Sequence, residues 1–306
     1  MPSQPRSTSS KVHNDVMPIK PHGVDTPFGG RVSEGSKVEG ALRGSEELRE
    51  RIIRDLGSFT VALFALSKAP KGDHISPAGT GTLLTDCGSH YILTASHVWE
   101  DCLRKATKIG ITVAEGIRHS FYIDAADIVP LGPPKPATWS ELGPDMVLLR
   151  VPPEHIGSIS ARKVFYSPLV DGKAVPEADN FKAWVLMGTP EALTNFTENI
   201  PHVQIGGYFA AKDIKYKSKG VYDYFDLGVD ISSPGMPKAF GGVSGGGLWR
   251  VEAYRSRSTG RIEWTRSLEG VAFFEFPIEA QRRVIRCHGP KSILSAIRYT
   301  RAQARE

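Results

Sequence analysis

Residues 241–247 read Gly241-Gly242-Val243-Ser244-Gly245-Gly246-Gly247, a serine set among glycines and followed at once by the apolar residues Leu248 and Trp249. A serine hydroxyl is a poor nucleophile until a base removes its proton. Attack on a carbonyl also needs donors aimed at the oxyanion that forms. Glycines serve the second need, because they let the backbone turn sharply and present its N–H groups with no side chain in the way. The amides of Gly242 and Ser244 are the natural donors. Taken alone, the stretch does not separate a nucleophile turn from a tight structural loop.

Two further stretches change that balance. Ile92-Leu93-Thr94-Ala95-Ser96-His97-Val98 is an apolar strand running into a small-residue turn that presents His97 at its end. Gly143-Pro144-Asp145-Met146-Val147-Leu148-Leu149 places an acid just before an apolar strand, where a carboxylate drawn toward the core can orient an imidazole. A lone histidine is usually structural, and an Asp before a strand is usually a turn residue. In combination the three chemical groups fall in the order His97, Asp145, Ser244, the order of chymotrypsin and not of subtilisin or the α/β-hydrolases.

These segments resemble the T-A-x-H, D-x-x-L-L and G-x-S-G-G signatures of the trypsin-like serine peptidases. Gly79-Thr80-Gly81-Thr82-Leu83-Leu84 is similar to the strand before that family's histidine hairpin. Leu268-Glu269-Gly270-Val271-Ala272-Phe273-Phe274 is similar to the strand that lines its substrate channel. The resemblance spans about residues 58–303. It implies an all-β, chymotrypsin-like fold of two six-stranded antiparallel β-barrels with the site between them, an N-terminal and a C-terminal helix outside, and no cofactor or metal. It implies a serine endopeptidase acting on a protein or peptide substrate, with His97 as general base and acid, Asp145 orienting it, and Ser244 forming the acyl-enzyme. Gly242 and Ser244 would form the oxyanion hole. The primary pocket would fall at Lys238, with walls from Phe273, Phe274 and Glu275.

Val243 stands where zymogen-activated members carry an Asp that pairs with a new N-terminal amine. Valine cannot make that ion pair, so activation by propeptide removal is not expected. Together with Gly247 in place of the usual proline, this is more similar to intracellular, bacterial-type members.

Outside these stretches the sequence divides into three parts. Residues 1–40 read as a flexible tail rich in Ser, Pro and Gly. A helix within 41–57 starts near Ser45, with Glu46 and Glu47 suiting its first turn, Leu48, Ile52 and Leu56 recurring at a spacing of four, and Gly57 as a stop. Residues 58–306 carry short β-type runs at 60–66, 81–85, 91–94, 109–113, 146–151, 183–187, 203–209, 247–251 and 271–276, with a hairpin at 86–89. A last helix is expected from Ser292 to about Gln303, with Ile293, Leu294 and Ile297 on one face.

The net charge of +5 over 306 residues is mild, and nucleic-acid binding is not expected from it. The basic runs Arg255, Arg257, Arg261, Arg266 and Lys212, Lys215, Lys217, Lys219 read as solvated hairpins. No apolar run is long enough to span a membrane. The polar start without a secretory core, and three cysteines without a pairing pattern, point to the cytoplasm. Gly242-Val243-Ser244-Gly245-Gly246 also fits the G-x-S-x-G elbow of α/β-hydrolases, but only His288 follows it and no Asp lies between. The rival from another class is a catalytically silent or partner-activated protease fold used as a binding module. Residues 1–57 are the candidate contact for such a regulatory partner.

Overall fold

The computed structural model describes residues 45–69, 72–113, 120–133, 143–168, 181–197, 200–210, 214–232, 236–256, 258–278 and 281–303. The tail expected over 1–40 lies outside them. Helix α1 (Glu46–Gly57) starts at Ser45, whose side chain accepts a hydrogen bond from the Leu48 amide at 3.1 Å. This satisfies one of the donors that every helix start leaves open. Leu48, Ile52 and Leu56 are its buried stripe. At its end the buried Lys163 donates to the Gly57 carbonyl at 2.6 Å.

The chain then builds two antiparallel sheets. The first contains β1 (Thr60–Ala69), β2 (Gly72–Asp86), β3 (Ser89–Thr94), β4 (Lys108–Thr112), β5 (Ser120–Asp124), β6 (Val129–Leu131) and β7 (Val147–Arg150), in the order β5-β4-β1-β2-β3-β7-β6. After helix α2 (Pro153–Ser160), with proline tolerated in its first turn, comes the second sheet. It contains β8 (Phe181–Gly188), β11 (Gly206–Ala210), β12 (Ile214–Lys219), β13 (Tyr222–Asp230), β14 (Gly247–Arg255), β15 (Ile262–Glu275) and β16 (Arg282–His288), in the order β11-β8-β14-β15-β16-β13-β12. A small hairpin of β9 (Asn195–Thr197) and β10 (Ile200–His202) stands apart. The chain closes with helix α3 (Pro290–Gln303).

Each sheet has its own apolar face. Val61, Leu63, Leu83, Ile92, Ile109 and Ile111 fill the first, and Leu186, Phe225, Leu227, Val243, Leu248 and Ile285 fill the second. A third cluster joins them. Leu48, Ile52 and Leu56 of α1 and Ile293, Ala296 and Ile297 of α3 meet Leu84 and Leu93 of the first sheet and Val185, Met187 and Trp249 of the second. Phe59 and Tyr166 pack on Trp249 with ring centroids 5.1 and 5.0 Å apart. Helix α3 is fixed at its start by the buried Asp223 of β13, which accepts from the amides of Lys291 (3.2 Å) and Ser292 (2.8 Å). A carboxylate at a helix N-terminus is favoured by the macrodipole.

This is the all-β, chymotrypsin-like arrangement implied by the sequence, with an N-terminal and a C-terminal helix. Each sheet has seven strands in place of six, and among the described residues neither ladder closes on itself. Several local expectations are corrected. The run at 203–209 begins pairing only at Gly206. Leu294 lies at the surface, whereas Ile293 and Ile297 are buried. Arg266 is not in a solvated hairpin: it lies inside β15 and bonds Asp55 of α1 at 2.9 Å, beside Trp264, which donates to the same carboxylate at 3.0 Å. Lys215, Lys217 and Lys219 do lie on an exposed hairpin, in the edge strand β12 paired with β13, while Lys212 and Arg257 lie outside the described residues. All three cysteines are free, with Cys87 exposed and Cys287 buried.

Candidate active site

His97 follows the end of β3, where the apolar run Ile92-Leu93 is buried and Ala95-Ser96 turn the chain out of the sheet. Asp145 precedes β7, the neighbour of β3, so strand pairing brings the two residues to the same end of the first sheet. Asp145 is only 4% exposed. One carboxylate oxygen accepts the His97 backbone amide at 3.0 Å, and the other lies 2.6 Å from His97 Nδ1. A carboxylate in this position fixes the tautomer with the proton on Nδ1 and leaves Nε2 as the basic nitrogen.

Asp145 is held from behind by a residue that the motifs did not mark. Its backbone amide donates to Nε2 of His288 at 3.0 Å. His288 is fully buried and stacks on Phe273 at 4.1 Å between ring centroids. Burial pushes its pKa down to about 4, against the opposing fields of Asp145 and Asp223, so the ring is neutral and can accept. Gly143 makes this approach possible. Its φ is +64°, and a Cβ there would stand 2.6 Å from the Asp145 amide nitrogen and 2.8 Å from His288 Nε2.

Ser244 comes from the second sheet, on the turn before β14. Threonines of the first sheet hold that turn. The Thr80 amide donates to the Ser244 carbonyl (2.9 Å) and its hydroxyl to the Gly242 carbonyl (2.7 Å), while the Thr82 hydroxyl donates to the Gly245 carbonyl (3.0 Å). The Thr94 hydroxyl, on the strand that carries His97, donates to the Thr80 carbonyl at 2.7 Å. Gly245 lies so close that a Cβ would collide with the Thr80 carbonyl oxygen and Thr94 Oγ1, and its φ is +92°. From the other side, Val243 is buried among Leu186, Phe240 and Leu248.

The structure therefore brings His97, Asp145 and the backbone of Ser244 to the junction of the two sheets. Among the described residues no hydrogen bond joins Ser244 to His97, a separation common in unliganded sites. Along the turn, the amides of Val243, Gly245 and Gly246 donate to Phe240, Ala272 and Val243. Those of Gly242 and Ser244 have no acceptor among the described residues.

The expected pocket residues are scattered in role. Lys238 is exposed. Phe273 is buried against His288, and Phe274 meets Phe276 edge-on at 5.0 Å. Glu275 accepts from the Phe240 amide at 3.2 Å and pairs with Arg283 at 3.0 Å, which ties β15 to the 236–240 segment. His288, Thr80, Thr82 and Thr94 were missed as site residues. Thr80 and Thr82 stood in the Gly-Thr-Gly-Thr stretch that carried the resemblance, but nothing local to His288 announces it.

No known family and no curated protein matches the chain. Among solved structures, one reported under the finding that aromatic interactions drive the coupled folding and binding of the intrinsically disordered Sesbania mosaic virus VPg protein is 15% identical. It covers 76% of this chain and 93% of its own, with a TM-score of 0.37. Catalytically active tobacco etch virus protease complexed with product is 10% identical, covering 79% and 77%, at 0.37. The protease of tobacco vein mottling virus is 9% identical, covering 76% and 78%, at 0.35. Likenesses this distant carry none of the functional reading, and a bacterial-type placement has no support among them.

Proposed function

We propose that the chain is a serine endopeptidase in which Ser244 attacks the scissile carbonyl, His97 Nε2 takes its proton and returns it to the leaving amine, and Asp145 orients the imidazole and stabilises its protonated form. The observation that carries this reading is the two-point hold of Asp145 on His97, with the Ser244 turn bonded onto the strands beside it. The two unoccupied amides of Gly242 and Ser244 support an oxyanion hole, in which one donor contributes roughly 2.7–4 kcal/mol to the transition state. The buried Val243 supports a turn that is set without zymogen activation.

Peptide-library cleavage by wild type, Ser244→Ala and His97→Ala tests the reading. Each substitution is expected to lower kcat roughly 10⁴–10⁶-fold. Cleavage that persists at wild-type rates in Ser244→Ala defeats the proposal. The second reading is a partner-activated or silent protease fold. In that case wild type cleaves nothing alone and gains activity only when a partner is added.

A further inference from the structure

A cavity of about 380 Å³ opens on the second sheet, away from Ser244, and its lining is strongly biased in charge. Lys215 and Lys217 of β12, Arg282 and Arg286 of β16 and the single carboxylate of Asp226 on β13 surround it, with Phe276, Pro277 and Val284 forming an apolar side. Strand alternation explains the position. Phe225, Leu227 and Ile285 face the core of the sheet, so Asp226, Val284 and Arg286 face outward. Two residues along β16 from Arg286, His288 accepts from the Asp145 amide, and none of the residues lining the cavity belongs to the candidate active site.

The ion pairs inside the cavity leave charge over. Arg286 grips Asp226 through two bonds of 2.6 and 2.9 Å, and Lys217 reaches the same carboxylate at 2.8 Å. Asp226 is therefore already shared by two cations. Lys215 has no ion-pair partner among the described residues. Asp230 stands opposite Arg282 in the ladder, and among the described residues lining the cavity the cations outnumber the carboxylates even with it counted. Arg286 is buried and lies 4.7 Å from the Phe276 ring, so it cannot swing out to be solvated separately. A concave site lined by one sign of charge focuses its field on an opposite ion. The size falls within the range of roughly 300–1,000 Å³ usual for small-molecule sites.

We propose that this cavity binds a small phosphate ester, its phosphate on Lys215, Lys217 and Arg282 and its apolar part along Phe276, Pro277 and Val284. A phosphate monoester carries about −1.5 to −2 charges near neutral pH and so matches an excess of more than one cation better than a single carboxylate does. The apolar wall distinguishes an ester from free phosphate. This site does not depend on the peptidase reading and stands or falls separately.

Isothermal titration at fixed ionic strength tests it, with phenyl phosphate as the probe and inorganic phosphate and citrate as comparisons. Wild type is expected to bind phenyl phosphate more tightly than either. Lys215→Glu/Arg282→Glu is expected to weaken that binding at least about tenfold, and Lys215→Arg to retain it. Thermal melts of each variant check that the fold is intact. No binding of phenyl phosphate, equal binding by the folded charge-reversed variant, or citrate or inorganic phosphate binding as tightly as the ester, each overturns the proposal.

Discussion

Asp145 is gripped on both sides, by His97 at its carboxylate and by His288 at its amide, and the second hold can be removed alone. His288→Phe keeps the ring that stacks on Phe273 but leaves the buried Asp145 amide without an acceptor. An unsatisfied buried donor costs about 1–3 kcal/mol. The variant is expected to melt earlier and to lose kcat more than KM, since Asp145 would no longer be fixed against His97. Val243 gives a sharper test of the turn. Val243→Asp, the residue of zymogen-activated enzymes, would bury a carboxylate among Leu186, Phe240 and Leu248 without a cation. Loss of several kcal/mol of stability, read as a collapsed melting temperature, is the expected outcome. At this scale the sequence was readable wherever chemistry had a local signature, as with His97 beyond a buried strand and Ser244 among glycines. His288 had none, because its role depends on the end of β16 meeting Asp145, 143 residues earlier in the chain.

Helix α1 was legible in full, from the Ser45 cap to the stripe of Leu48, Ile52 and Leu56, because all of its signals are local. Its destination was not. It plugs the junction of the two sheets and is latched by Asp55 to Trp264 and Arg266 of β15. Ile52→Ala should therefore cost about 2–5 kcal/mol, as for other core truncations, measurable by denaturant unfolding. The same packing changes how N-terminal control must be tested. Truncation through Gly57 removes core and will unfold the protein, whereas truncation ending before Ser45 keeps α1 and isolates any regulatory effect. Strand β13 escaped the sequence reading because Asp223, Asp226 and Asp230 interrupt its apolar pattern. Asp223 caps α3, and Asp226 holds Arg286 and Lys217. These are tertiary partners that no local window contains.

The shared cluster of α1, α3 and both sheets makes the described chain one folding unit, so a single buried group can tune its stability as a whole. His288 is such a group. Its folded pKa is about 4 against an ordinary 6.5, so between these values the unfolded chain binds more protons than the folded one. Stability is therefore fully present above pH 6.5 and is lost as pH falls through 4. The difference in melting temperature between wild type and His288→Phe should shrink across that window, while a constant difference would exclude the linkage.

An activated Ser244 reacts with a fluorophosphonate, and the mass of the covalent adduct reports it. One adduct per chain is expected, carried by the peptide that contains Ser244, absent in Ser244→Ala and strongly slowed in His97→Ala. An adduct on another residue, or equal labelling of Ser244→Ala, would contradict it.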